Sequence, residues 1–242
     1  MAVPPLFAAL APARSILIAG AGGGFDVYAG LPLAFALWHG GAAVHLASLS
    51  FSQPELIDRD AWVAEHAAAV RPDTDSPDWY FPERTLARWL ATQKLPSTVY
   101  AFPPLGVQPS RAAYRYLVDT LDIDAVVLVD GGTDVLLRVY RDAVADAQAA
   151  TPDRPSIVQG QIAAATGGAF GDVRFTRRTG GGDLFVNPLM AIYFTVDLDK
   201  LAARCLYLDR IENTVGRRQV ITRIQAFRDE LLSPRIARAF PH

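Results

Sequence analysis

Cysteine is nearly missing from this chain: Cys205, in the apolar run LAARCLYL, is the single one. No disulfide can close within the chain, which points to a reducing compartment and a cytoplasmic location. The run around it has helical character, so Cys205 and Met190 are expected in the core. Histidine is scarce too. His39, His45, His66 and His242 are isolated, and none pairs beside a carboxylate at helical or strand spacing, which argues against catalytic zinc. His45, in an alternating run, is expected to pack, and His39, before Gly40 and Gly41, to end a helix.

An excess of either charge is also lacking. Lys and Arg number 23 against 25 Asp and Glu, net −2, and the basic residues are scattered. Nucleic acid and anionic membrane surfaces are therefore not expected partners. No apolar run approaches the about 18 residues that a membrane-spanning helix needs. The opening MAVPPLFAALAPARS has no basic segment ahead of a continuous apolar core and is not expected to be a signal peptide. The serine-nucleophile pattern Gly-x-Ser-x-Gly is absent.

What is present is bulk: 242 residues, 51% hydrophobic, enough for one sizeable core and a single domain over 1–242. Short β-branched runs alternate with helical patterns. SILIAGA, AVHLASLS, STVYAFP, DAVVLVDG and AIYFTVD are the expected strands. LPLAFALWHGG, PERTLARWLATQ, QPSRAAYRYLVDTL and GTDVLLRVYRDAVADAQ are the helices between them. Pro32, Pro54, Pro82 and Pro109 fall near helix starts, where a missing N–H costs little. The pattern predicts an α/β, Rossmann-like three-layer fold with a mainly parallel sheet flanked by helices. DKLAARCLYLDRI and GRRQVITRIQAFRDELL are expected as C-terminal helices on that sheet, within 199–232. The proline-rich segment 71–83, RPDTDSPDWYFPE, is expected to be a loop over one sheet end and a candidate lid.

The candidate site lies in two glycine loops that echo each other, GGFDV (Gly23 to Val27) and GGTDV (Gly131 to Val135). In a parallel sheet such loops sit at the carboxyl ends of strands, where ligands bind. Backbone N–H groups of Gly22, Gly23, Gly24, Gly131 and Gly132, with Thr133, would hold an anion at helix N-termini. Asp26, Asp130 and Asp134 are the candidate catalytic acids. Asp130 and Asp134 are also the candidate Mg²⁺ ligands, through hard oxygens. The competing role for Asp26 and Asp134 is to cap the backbone of a tight turn. Phe25 stands where the dinucleotide fingerprint needs its third glycine, and the second strand carries no acid for a ribose, so NAD and FAD are not expected. No Lys-Ser or Lys-Thr pair follows either loop, which excludes a Walker-type site. A third loop, RFTRRTGGGDLFVNPLM, offers Arg177, Arg178, Thr179 and Asn187 to close over an anion.

The segments LIAGAGGGFDVYAGLPLAFAL, VVLVDGGTDVLLR, AFGDVRFTRRTGGGDLFVNPLM and RCLYLDRIENT, in this order over most of the chain, together resemble the uncharacterised family called domain of unknown function 1152. The resemblance implies a Rossmann-like α/β fold. It draws attention to Gly22, Gly23, Gly24 and Asp26, to Asp130, Gly131, Gly132 and Asp134, and to Thr179, Asn187 and Pro188. It implies no particular activity. Where the family has a longer middle region, RVYRDAVADAQAATPDRPS passes quickly to the next helix, and the activity is what this departure puts in question.

These features lead to one expectation and two alternatives. The expectation is an enzyme of small-molecule metabolism, binding a phosphorylated or nucleotide-like anion across the two loops for group transfer or hydrolysis. The first alternative is a non-catalytic ligand-binding or sensing protein using the same crevice. The second is a structural protein whose C-terminal QVITRIQAFRDELLSPRIARAF packs on another subunit of a homo-oligomer.

Overall fold

A computed structural model describes residues 5–22, 26–50, 52–53, 56–76, 81–130, 167–173, 184–186 and 197–239. Ser15–Gly20 (β1), Ala43–Leu49 (β2), Trp62–Ala64 (β3), Ala67–Val70 (β4), Val99–Phe102 (β5) and Ala125–Val129 (β6) form one sheet in the order β3-β4-β5-β2-β1-β6. The four strands β5, β2, β1 and β6 run parallel. β3 pairs antiparallel with β4, and β4 antiparallel with β5, which makes the sheet mixed. Gly171–Val173 (β7) and Leu184–Val186 (β8) form a separate antiparallel pair.

β1 is buried along its whole length, as an apolar strand covered on both faces must be. Alternation divides its side chains between two cores. Ile16 and Ile18, with Val44, Leu46 and Val99, pack under Asp26–Ala29 (α2), Leu31–His39 (α3) and Pro82–Thr92 (α4). Leu17 and Ala19, with Ala47 and Phe102, pack under Ala113 and Leu117 of Val107–Leu121 (α5). The chain is thus the expected α/β fold, with helices on both faces of a mainly parallel sheet. Pro5–Leu10, called α1 because it comes first in the chain, adds Leu6 and Leu10 to the first core.

The hairpin of β3 and β4 has little signal of its own in WVAEHAAAV, because alanine favours helices over strands. Burial decides it: Ala67, Ala68 and Ala69 are small enough to pack tightly beside β5.

The C-terminal part differs from the single helix expected over DKLAARCLYLDRI. Leu198–Ala202 (α6) and Leu208–Ile211 (α7) are two short helices, followed by Arg217–Ala239 (α8). Leu198, Leu201 and Leu206 are exposed, so there is no buried face to hold one continuous helix together. Cys205 sits in the intervening turn, half-buried rather than in the core. This region is tied to the sheet domain at the start of α5. The Thr214 hydroxyl accepts from Val107 N–H at 3.0 Å, and the carbonyls of Val215 and Thr214 accept from Gly106 and Gln108 N–H. Those are the donors that a helix N-terminus leaves unsatisfied.

The connection order creates a reversal at the sheet centre. From β1 the chain passes to β2, then to the far-edge hairpin of β3 and β4 and back inward to β5 beside β2, before crossing to place β6 on the other side of β1. The carboxyl ends of β1 and β6 therefore flank the topological switch point, the usual ligand crevice of an open α/β sheet.

Candidate functional site at the switch point

β1 ends in Gly20, and the space a Cβ would fill there is taken by Val27 N at 2.5 Å and by Asp26 Cβ at 3.0 Å. Only glycine lets α2 start this close to the strand. Ala21 N–H then donates to the Val129 carbonyl at 2.8 Å, which extends the pairing of β1 with β6 into the loop.

Gly22 comes next and is the centre of the site. Its N–H donates to Asp26 Oδ2, and a Cβ at this position would meet that oxygen together with Asp130 Oδ1, the latter at 2.8 Å. The two carboxylates thus converge on one glycine, Asp26 from the start of α2 and Asp130 from the end of β6. Asp26 turns back on the loop that precedes it, so one backbone donor expected to face an anion is already engaged. Two negative groups side by side favour a cation or a ligand's donor groups between them.

Of the sequence-predicted site residues, Gly22, Asp26 and Asp130 are brought together. Gly23, Gly24, Gly131, Gly132, Thr133, Asp134, Arg177, Arg178, Thr179 and Asn187 lie outside the described residues, as do the expected helix over GTDVLLRVYRDAVADAQ and, apart from Asp197, the strand AIYFTVD. Next to Asp130 is a cavity of about 350 Å³ between α1, the start of α3 and β6. Phe7, Leu33, Val127 and Val129 give it an apolar lining, with Asp130 at its polar side.

One strand away stands a group without an obvious motif. Ser48, Ser50 and Ser52 alternate at the carboxyl end of β2 and are all buried. Glu83, in the first turn of α4, is fully buried against them. Ser52 Oγ lies 3.3 Å from Glu83 Oε2, and Ser52 N–H donates to Ser50 Oγ at 3.2 Å. Among the described residues, Glu83 Oε1 and Ser48 Oγ have no hydrogen-bond partner within 3.5 Å. Burial raises the Glu83 pKa to about 7, although its own backbone N–H and the neighbouring serines oppose the rise. The second strand, which carries no acid of its own, thus receives one from α4. The regular Ser-x-Ser-x-Ser alternation was the visible hint, because period two puts the three hydroxyls on one side of an extended chain.

The remaining candidates have structural roles. His39 Nδ1 is 2.8 Å from the Phe35 carbonyl at the end of α3, as a helix C-terminal residue should be. His45 is half-buried in β2, and burial lowers its pKa. Arg84 and Arg88 pin the described part of segment 71–83. Arg84 Nη1 donates to the carbonyls of Ser76 at 2.8 Å and Thr74 at 3.3 Å, and Arg88 Nε to that of Pro72 at 3.0 Å. Among the described residues no group of three or more His, Cys, Asp or Glu could hold a metal, and no helix is long and apolar enough to cross a membrane. No protein-family model, curated protein or solved structure matches the chain.

Proposed function

We propose that the protein binds a phosphorylated small molecule as its Mg²⁺ complex at the β1/β6 switch point and acts on it by group transfer or hydrolysis. The observation that supports this reading is the convergence of Asp26 and Asp130 on Gly22. Mg²⁺ binds through one or two carboxylates and takes its remaining ligands from water and substrate phosphates, so two acids suit it where a closed protein cage would need more. Asp26 and Asp130 would hold the ion, with Asp134 as the further expected ligand. When bound, it would neutralise charge on the phosphate. The chain's own part is to fix the two carboxylates on a rigid strand end and a helix start, and to offer the cavity beside Asp130 to the apolar part of the ligand. The resemblance to domain of unknown function 1152 fits this proposal in drawing attention to the same loops.

Thermal unfolding of the full chain against nucleotides and sugar phosphates, with and without Mg²⁺, tests it. A stabilisation that needs both the phosphate compound and the metal, and disappears in Asp26→Asn and Asp130→Asn, is expected. Equal curves for wild type and both variants would overturn it.

A second reading is a binding protein that retains the same ligand without turnover. The apolar cavity favours it, since burying a ligand's apolar part promotes retention. Product formation by purified protein under single-turnover conditions separates the two.

A further inference from the structure

Glu83 and Ser48 present a different problem, because two fully buried polar atoms in one cluster, Glu83 Oε1 and Ser48 Oγ, have no partner within 3.5 Å among the described residues. Buried polar groups in native proteins are nearly always paired, and exceptions call for a missing occupant or a functional role. The surroundings narrow the choice. Four side chains supply only oxygen: the carboxylate of Glu83 and the hydroxyls of Ser48, Ser50 and Ser52. Ser52 Oγ donates to Glu83 Oε2 at 3.3 Å, so among the described residues it is the other carboxylate oxygen, Oε1, that is left to an occupant.

Charge then selects the class of ion. One carboxylate balances one positive charge, while a divalent ion would leave a net charge buried, which is expensive. No ion pair to Glu83 occurs among the described residues, and the adjacent Arg84 guanidinium donates to the Ser76 and Thr74 carbonyls.

We infer that Glu83, Ser48, Ser50 and Ser52 form a binding site for a small monovalent inorganic cation, sodium or potassium, at the carboxyl end of β2. Its place explains its use. Ser48 is near the end of the central strand β2, Ser50 and Ser52 follow that strand, and Glu83 is in the first turn of α4, so an ion shared between them ties that helix start to the sheet. The site is separate from the one proposed between Asp26 and Asp130 and does not depend on it.

The test is thermal unfolding of the full chain at pH 8 in choline chloride, against NaCl and KCl at the same ionic strength. Sodium or potassium should raise Tm in a saturable way, by about 5–10 °C once the ion reaches about 100 times its Kd. Glu83→Gln should abolish the rise, and Ser48→Ala should weaken the ion's apparent affinity at least severalfold. Equal curves in choline, sodium and potassium would overturn the inference and leave only an internal water. A rise confined to divalent ions, or one retained in Glu83→Gln, would overturn it as well. If Glu83→Gln does not fold, the sodium NMR linewidth decides: broadening by wild type that is reduced in Ser48→Ala supports the site, and identical linewidths refute it.

Discussion

The Tyr28 hydroxyl donates a hydrogen bond to the Pro82 carbonyl oxygen at 2.8 Å, and the bond is buried. It joins α2, the helix that follows the first glycine loop, to the start of α4. Two parts of the carboxyl-end surface that are 54 residues apart in the chain are thereby held in fixed relation. Tyr28→Phe removes this bond while the Pro82 carbonyl, in the first turn of α4, still faces the helix N–H four residues on, so the cost should be about 0.5–1.5 kcal/mol, read as a lower denaturation midpoint at an unchanged m-value. An unchanged midpoint would mean that the loop and α4 are held together by packing alone.

Gly22→Ala tests the site itself. Its Cβ would be placed against the carboxylate oxygens of Asp26 and Asp130. The loop is exposed there, so stability should change by less than about 1 kcal/mol. The response to Mg²⁺ with a phosphorylated ligand should weaken at least about tenfold, equivalent to about 1.4 kcal/mol. Titration of the metal at fixed ligand would show it, and an unaffected response would move the ligand away from Gly22.

Glu83 makes stability pH-dependent in a definite direction. Its ordinary value is 4.5 and its folded value about 7, so between these limits the native state binds more protons than the unfolded chain. Stability is then fully retained below pH 4.5 and falls as pH rises to about 7. The loss is about 3 kcal/mol for this fully buried group. Urea unfolding in choline buffers between pH 4.5 and 8 should show that fall in wild type and a flatter profile in Glu83→Gln. The same slope in both would assign the dependence to other groups.

Thr214 controls how the C-terminal helices are attached. Its buried hydroxyl accepts from Val107 N–H and donates to the Ile211 carbonyl at 2.6 Å. Thr214→Val keeps the shape and removes both bonds, at a cost of about 1–3 kcal/mol. Hydrogen exchange should quicken first at the Gly106, Val107 and Gln108 amides, which the Thr214 and Val215 backbone and side chain hold. Unaltered protection of those amides would show that the attachment does not run through Thr214.

Much of the scaffold was legible in the sequence, because its signals are local. The apolar run at Ser15–Gly20, the β-branched run at Ala125–Val129 and the prolines at 32, 82 and 109 each act within a few residues of themselves. The glycines and Asp26 could be placed at a strand end for the same reason. The alanine hairpin and the break at Cys205 were not legible, since each depends on what the segment packs against: β5 in the first case, and exposed leucines without a buried face in the second.

The sequence by itself determined the element types and the kind of chemistry at the candidate loops: oxygen acids beside glycines, with no zinc, Walker or dinucleotide motif. The tertiary structure alone decided that β6 lies next to β1, which brings Asp130 to Gly22 and Asp26 from more than a hundred residues away. It also decided that an acid from the start of α4 is buried among the serines ending β2. The physical reason is that backbone propensity and hydrophobic period act over a few residues, whereas strand order is set by which faces can be buried together. Carboxylates carry no pattern in the chain that reports which strand end they will reach.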